Sequence, residues 1–391
     1  MDFRLSKQKG IKEGVSKKVL ELLVHINQRV KGNDNIQLPV DSLLVQYQDP
    51  SATSFVTNFT IIYIKMGFPR MPLNKQALLV PAVLSSLQGK PESHQDSLLL
   101  MIMPIMAEVM APTEDPAKKL NYLGLSERPG VAKTFHAFLL DYLLLPYGSH
   151  PSISSEPKEK GSKTLNVPAA MSEHAWKRVA GDAVMPSEVL EKRKCSIVKF
   201  LGTGLLADME IALPLLISSS DSRHSVATEA DTVQRKFAGF IDWEDPNLIG
   251  KVYAMFLGTL VIKDKQGKAT SGAVKLEHRR TPSNTRIRLK LMPRLLNSRE
   301  AAMQFPACIQ VTFDLLFGTT GNSNAKLKTM AVQFIHHIIE HCPENRLSAI
   351  GAVLLSALSR LVSGGDSSGL SLEHTKNGSS NVRSDDEEKQ N

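Results

Sequence analysis

The sequence predicts an all-α protein in which antiparallel helix pairs stack one after another. Its 391 residues are 42% hydrophobic but only 6% aromatic, a balance typical of helices that pack through aliphatic side chains. Apolar residues recur at steps of three and four, the period of an amphipathic helix. Prolines and short polar clusters interrupt these stripes roughly every 15 to 25 residues, as expected for helices joined by short turns.

Four segments show the helical stripe most clearly, and we expect each stripe to face a core. The first contains Val15, Val19, Leu22, Leu23, Ile26 and Val30, and the second contains Phe55, Phe59, Ile62 and Met66. The third contains Phe135, Phe138, Leu139, Tyr142 and Leu143. The longest contains Leu327, Met330, Ala331, Phe334, Ile335, Ile338, Ile339 and Cys342.

Prolines mark the predicted helix boundaries. Proline is favoured at the first helical position because it lacks the amide that would otherwise stay unbonded there. In Asp49-Pro50 and Asp245-Pro246 the proline follows an aspartate that can cap a helix. The other boundary prolines are Pro39, Pro69, Pro72, Pro91, Pro129, Pro186, Pro306 and Pro343.

A weak internal repeat refines the prediction to a HEAT/armadillo-like α-solenoid of stacked antiparallel helix pairs. Residues 13–20, 221–228 and 324–331 each begin with a polar residue that can cap, continue with basic residues and end in an apolar stripe. HEAT repeats carry this pattern where their second helix starts. There the capping oxygen meets free amides, and the cation packs its stem along the neighbouring repeat.

Two segments break the helical pattern. Residues 149–168 are rich in Ser, Pro, Lys and Glu, which predicts a disordered loop. Residues 257–283 form an insertion, either a small hairpin around Leu260–Ile262 or an irregular loop. Arg286–Leu291 alternates like a strand, but we favour a helix because Leu295 continues a four-residue step. The predicted organisation is a divergent N-terminus at 1–12, repeats at 13–148 and 169–362, the loop and insertion above, and a disordered charged tail at 363–391.

Cysteine usage favours a reducing compartment, and hydropathy indicates neither a signal peptide nor a membrane span. The three cysteines, Cys195, Cys308 and Cys342, form no CxxC pair, so neither a zinc cage nor a disulfide framework is indicated. The first 14 residues lack the apolar core of a signal peptide. No apolar run approaches the ~20 residues that span a bilayer. We expect a protein that is not transmembrane.

A basic segment is the strongest feature outside the predicted core. From Lys275 to Arg299 it holds eight basic residues against one acid, Glu277, in a chain of net charge +8. Such a segment can be a solvated helix face, a docking site for an acidic protein surface or a phosphate-binding site, and we rank the three in that order. Aromatic residues are not interleaved, which disfavours single-stranded nucleic acid. The candidate docking residues are Arg279, Arg280, Arg286, Arg288, Lys290, Arg294 and Arg299.

No motif predicts catalysis or a bound cofactor. His337 and His341 are four residues apart and could share a metal, but no glutamate stands where a HExxH motif requires it. We favour an ordinary polar helix face there. Gly202-Thr-Gly204 lacks the third glycine of a dinucleotide loop, and the sequence contains no GxSxG elbow. Trp176 and Trp243 are interpreted as core anchors rather than partner hot spots.

Several strings in the sequence are long and family-specific. The longest are KKVLELLVH at 17–25, LLVQYQDP at 43–50, SFVTNFTIIY at 54–63 and SSDSRHSVAT at 219–228. Shorter ones are IQLPV at 36–40, LLPYG at 144–148, IDW at 241–243, FPA at 305–307 and FIHH at 334–337. In these strings and their order the chain, from about residue 13 to 362, resembles the extracellular-mutant-twenty-nine family of proteasome-associated HEAT-repeat proteins.

The resemblance implies a solenoid that binds proteasome regulatory and core particle subunits, bridges or stabilises the two particles and restrains faulty assemblies. It also implies a cytoplasmic and nuclear protein linked to endoplasmic reticulum, endosomes and motor proteins, with no catalytic residues, cofactor or small-molecule substrate. Because family members are several-fold longer, we expect an N-terminal fragment, a short isoform or a truncated gene model.

The predicted function is therefore that of a non-enzymatic adaptor and scaffold. The alternative is a basic helical-repeat protein that binds nucleic acid or another acidic partner through residues 275–299.

Overall fold

The protein is described by a computed structural model that covers residues 9–33, 35–108, 115–148, 167–168, 171–172, 175, 185–257, 260–263, 275–281, 284–317 and 324–363. Within these residues the chain forms sixteen α-helices, one 3-10 turn and three short strands. It divides into two compact units, residues 1–341 and 342–391. The predicted all-α class is confirmed. None of the described helices is both long and apolar enough to cross a bilayer.

The helices of the first unit follow one another along the chain. They are α1 (Lys9–Lys31), α2 (Val40–Gln48), α3 (Ser54–Gly67), α4 (Leu73–Ser85), α5 (Glu92–Met106), α6 (Pro116–Asn121), α7 (Pro129–Leu144), α8 (Ser187–Leu201), α9 (Asp208–Ser219), α10 (His224–Phe237), α11 (Pro246–Leu257), α12 (Thr285–Leu296), α13 (Arg299–Met303), α14 (Ala307–Phe317) and α15 (Ala325–His341). A 3-10 turn, Phe68–Arg70, extends α3. The second unit contains α16 (Glu344–Ser363).

Eight of the ten boundary prolines confirm the predicted helix starts. The prediction was wrong for Pro50, which lies in a turn before Ser54 begins α3, and for Pro69, which lies inside the 3-10 turn. Pro129 and Pro246 are the first residues of α7 and α11. Pro39, Pro72, Pro91, Pro186, Pro306 and Pro343 each immediately precede a helix. Because proline fixes its own φ and has no amide to leave unbonded, it starts a helix at little cost.

Helices of the first unit pack mainly on near neighbours in the chain, which is the contact pattern of a helical repeat. The pairs α2–α3, α4–α5, α9–α10 and α14–α15 are joined by short connections and pack together. A second set of contacts links α8 with α10, α5 with α8, and α12 with α15. The core between them is aliphatic and aromatic, as shown by Leu98, Phe200 and Leu215, each at most 1% exposed.

The predicted core stripes are confirmed on α7 and α15. All five residues of the α7 stripe are buried. On α15 the residues Leu327, Phe334 and Ile338 are at most 1% exposed, whereas Ile339 at the edge of the stripe is 43% exposed.

The stripe predicted for α3 faces outward, so that prediction was wrong. Phe55 and Ile62 are 49% and 45% exposed. The buried face instead contains Thr57 and Thr60, whose hydroxyls donate to main-chain carbonyls one turn earlier. Bonded in this way, threonine can be buried at little cost. The α1 stripe is not a continuous core face either. Among its members whose burial is described, Leu22 and Ile26 are exposed, Val19 and Leu23 are half-buried, and Val30 is buried.

The insertion forms the hairpin that the sequence left as one of two alternatives. Strand β2 (Leu260–Lys263) pairs antiparallel with β3 (Lys275–Thr281), and β1 (Val167–Pro168) pairs parallel with the other edge of β3. The predicted disordered loop, apart from residues 167–168, and the predicted tail beyond residue 363 lie outside the described residues, as do residues 1–8 of the N-terminus.

Candidate protein-docking surface

Helix α12 carries four of the eight basic residues of the segment, and its own start is capped. The side-chain oxygen of Asn284 accepts a hydrogen bond from the amide of Ile287 at 3.1 Å, which bonds one of the amides left free at a helix start. Ile287 and Leu291 are 5% and 0% exposed, so one stripe of α12 faces the core. The helix was predicted and is confirmed. Its rotation determines which cations reach solvent.

Arg288 is buried and belongs to the core. Its side chain is 2% exposed and forms an ion pair with Asp314 of α14, with nitrogen and oxygen 2.9 Å apart. The guanidinium also donates to the carbonyl of Phe256 at 3.1 Å and lies 5.0 Å from the centroid of that ring. Burial lowers the pKa of Arg288, and Asp314 partly offsets that effect. The predicted docking surface therefore cannot use Arg288 unless the protein unfolds locally.

Two further cations of α12 already contact other side chains near the surface. Arg294 lies over the ring of Trp243, 4.8 Å from its centroid, and burial lowers the pKa of the guanidinium. Trp243 is half-buried beneath it, which fits a packing role. Lys290 pairs with Asp231 of α10 at 3.3 Å, and both side chains are close to half exposed. Such a pair contributes little to stability and can open for a partner.

Among the candidate cations whose burial the structure describes, Arg286 and Arg299 are exposed. Arg286 donates to the carbonyl of Asp221 at 3.3 Å, which positions its side chain beside the turn before α10. The backbone amide of Arg299 donates to Glu244 at 2.9 Å, which fixes the start of α13. Arg279 and Arg280 lie on β3, where they pair with Leu260 and Val167 respectively.

The structure contains a buried charged cluster that sequence reasoning missed. Lys194 of α8 pairs with Asp221, and the side chains are 3% and 5% exposed. Tyr147 covers Lys194, and the guanidinium of Arg223 lies 5.1 Å from the same ring. Burial and the negative charge of Asp221 raise the pKa of Tyr147. The sequence indicated only that Asp221 could cap a helix, because Lys194 looks like any surface lysine in a charged segment.

His337 and His341 lie close to Glu340, and their possible ligand atoms fall within 4.8 Å of one another. The order His-x-x-Glu-His is the reverse of HExxH and is also found in metallopeptidases, a spacing that the sequence analysis did not consider. Here the Nε2 atom of His337 lies 2.8 Å from the carbonyl oxygen of Ser298, so it carries the proton and donates. Among the described residues no further His, Cys, Asp or Glu completes the group.

Of the two remaining sequence features, one can be placed in the structure. Gly202 and Gly204 form the turn that ends α8, and the positive φ of Gly204, 76°, is a conformation that favours glycine. Trp176 lies outside the described residues.

The packing of near-neighbour helices defines an all-α helical-repeat protein, and comparisons with known proteins name its family. A sequence profile described as "Proteasome component ECM29, N-terminal" matches residues 4–386. The chain therefore belongs to the ECM29 family. The match extends beyond residues 13–362 at both ends. No solved structure matches the chain.

Relatives are found in animals and yeast. The chain is 45% identical to the human proteasome adapter and scaffold protein ECM29 over 370 residues, which are 92% of this chain and 20% of the relative. It is 34% identical to the Drosophila melanogaster proteasome-associated protein ECM29 homolog, over 89% of this chain and 17% of the relative. It is 21% identical to the Saccharomyces cerevisiae proteasome component ECM29, over 82% of this chain and 17% of the relative. The chain thus spans about a fifth of the length of these curated relatives.

Proposed function

We propose that this chain is a non-enzymatic adaptor that binds the 26S proteasome. The supporting observation is its membership of a family whose relatives are named as proteasome adapter, scaffold or component. A stack of packed helices supplies many side chains on a semi-rigid support, so several weak contacts can add to a stable one. In this proposal the chain contacts regulatory and core particle subunits and helps to bridge them and to retain faulty assemblies.

The proposed docking residues are Arg286 and Arg299, which are exposed, and Lys290, which becomes available when its surface pair opens. Arg279 and Arg280 of β3 remain part of this proposal. An acidic patch on a proteasome subunit would complement these cations and speed association. The proposed cellular setting is the cytoplasm and nucleus. Links to endoplasmic reticulum, endosomes, motor proteins and endoplasmic-reticulum-associated degradation belong to the same proposal.

Affinity purification tests the proposal. The tagged chain should enrich proteasome subunits from cytosol, and the double variant Arg286→Gln/Arg299→Gln should recover several-fold less. The control Lys326→Gln/Lys328→Gln removes two exposed charges from α15 and should bind as the wild type does. Recovery of no proteasome subunits with the wild-type chain would refute the proposal for these 391 residues.

The nucleic-acid alternative is weakened because two of the cations it would use are packed against other residues. Arg288 is buried, and Arg294 stacks on Trp243. Binding that neutralises phosphates weakens steeply with salt. A salt titration with duplex and single-stranded DNA tests it, and we expect no measurable binding near physiological salt.

A further inference from the structure

A groove of about 440 Å³ lies between the end of α1, the outer side of α3 and the first turns of α5. Its lining combines an apolar floor with a rim of cations and hydroxyls. The lining residues are Lys31, Ile61, Ile62, Lys65, Met66, Ser93, His94 and Ser97. This groove is far along the chain from the basic segment of α12.

The apolar floor continues the outward-facing stripe of α3. Ile62 is 45% exposed, and Met66 one turn later is half-buried. Phe55 and Phe59 extend the stripe beyond the groove, with their ring centroids 6.4 Å apart. Contiguous apolar side chains at a surface are a common mark of an interaction site.

The rim is positively charged. Lys31 and Lys65 are exposed, and among the described residues no carboxylate lines the groove. Ser93 and Ser97 are four residues apart on α5, so both hydroxyls lie on one stripe of that helix.

The pKa of His94 is sensitive to this positive charge. Burial lowers the pKa of its imidazole, and Lys90 and Lys65 lower it further. The Nδ1 atom of His94 lies 3.1 Å from the hydroxyl of Tyr47, which fixes the ring in place, and the ammonium of Lys90 lies 4.6 Å from the Tyr47 ring centroid. Both charged groups that lower the pKa of His94 are lysines, and one of them, Lys65, lines the groove. An anion bound there would oppose their effect.

We infer that this groove binds a short segment of a partner protein in which acidic and aliphatic residues alternate. Carboxylates of the segment pair with Lys31 and Lys65 and accept from Ser93 and Ser97, while an aliphatic side chain covers Ile62. The inference rests on the proposed function only in taking the partner to be a protein. The apolar floor argues for a peptide, because a free phosphate or a nucleic-acid backbone would leave it uncovered.

Fluorescence anisotropy tests the inference with the purified 391-residue chain. The probe is a fluorescein-labelled octapeptide of alternating Leu and Glu, and the control peptide carries Gln in place of Glu. We expect saturable binding of the Glu peptide that weakens with salt, and at least tenfold weaker binding of the Gln peptide.

Matched variants locate the site. Lys31→Gln/Lys65→Gln should weaken binding of the Glu peptide at least tenfold. Lys17→Gln/Lys18→Gln removes the same charge from exposed positions of α1 and should change the affinity less than twofold. Ile62→Gln should weaken binding several-fold through the floor alone. In NMR spectra, bound peptide should raise the apparent pKa of His94 in the wild-type chain but not in Lys31→Gln/Lys65→Gln.

Four results would overturn the inference: no saturable binding, equal affinity for the Gln peptide, equal loss in both double-lysine variants, or displacement of the peptide by an equimolar amount of inorganic phosphate. No proteasome is present in this assay. Its failure would leave the proposed function standing, and failure of the affinity purification would leave a positive peptide result intact.

Discussion

Lys194 and Asp221 form a buried ion pair, with the ammonium nitrogen 2.9 Å from the carboxylate oxygen. The carboxylate of Asp221 also accepts a hydrogen bond from the amide of Arg223 at 2.8 Å, at the start of α10. The ring of Tyr147, which follows α7, lies 4.4 Å from the same ammonium. The ion pair therefore ties α8, α10 and the segment after α7 together.

Asp221→Asn should destabilise the protein strongly. The substitution leaves the ammonium of Lys194 buried without its counter-charge, which typically costs about 3–5 kcal/mol. Urea denaturation followed by circular dichroism measures the change. The exposed Glu188 of α8 provides the control, and Glu188→Gln should change the unfolding free energy by less than about 0.5 kcal/mol. A loss below about 1 kcal/mol in Asp221→Asn would contradict the structure.

The loss of unfolding free energy caused by Asp221→Asn should become smaller as the pH rises from 7 to 9. Burial lowers the pKa of Lys194 in the folded protein, and Asp221 opposes that effect. Without Asp221 the folded pKa falls further below that of the unfolded chain. Between those two values the unfolded state binds more protons, so stability rises with pH. Urea midpoints of both proteins at pH 7 and 9 test this, and a deficit that grows with pH would be inconsistent with a buried, charged Lys194.

Arg288→Ala should destabilise the protein much more than Lys290→Gln, because Arg288 is buried and Lys290 lies at the surface of the same helix. Arg288→Ala leaves Asp314 and the Phe256 carbonyl without a charged partner and should cost about 3 kcal/mol. Lys290→Gln breaks a surface pair with Asp231 and should cost less than about 1 kcal/mol. Thermal unfolding compares the two, and similar losses would mean that Arg288 is not buried in solution.

Gly67→Ala should destabilise the packing of α3 against the segment that begins α2. A Cβ at this position would come within 2.8 Å of Val40 and 2.9 Å of Leu38, and such overpacking costs about 1–3 kcal/mol. Gly250 is the matched helical glycine, whose Cβ would meet only Gln304 at 3.9 Å. Gly250→Ala should therefore stabilise by up to about 1 kcal/mol. Chemical denaturation of both variants gives the sign of each change in unfolding free energy. Changes of the same sign would contradict the packing described.

The sequence predicted the helices well because prolines and apolar periods are local signals. Pro129 and Pro186, for example, mark the starts of α7 and α8. Burial of individual side chains was less predictable. The sequence shows that Arg288 is charged, but not that α14 brings Asp314 within 2.9 Å of it. Likewise Thr60 counts as polar in a periodicity analysis, although its hydroxyl bonds to the main chain and the residue is 1% exposed.

The groove on α3 could not have been predicted from the sequence. Phe55, Phe59, Ile62 and Met66 have the spacing of a core stripe, and nothing local indicates that α2 packs on the other side of the helix. Only the position of Gly67 hints at the covered side, since a glycine at the end of an apolar helix can mark a close approach of another segment.

The two aromatic rings on the outward-facing stripe of α3 also affect how the purified protein behaves. Phe55 and Phe59 are held nearly parallel, with an angle of 14° between their planes, and Phe55 is 49% exposed. Contact between two molecules through these rings removes apolar surface from water and needs no change of fold. Concentrated solutions should therefore form reversible oligomers, and Phe55→Ser should keep the protein monodisperse in light scattering.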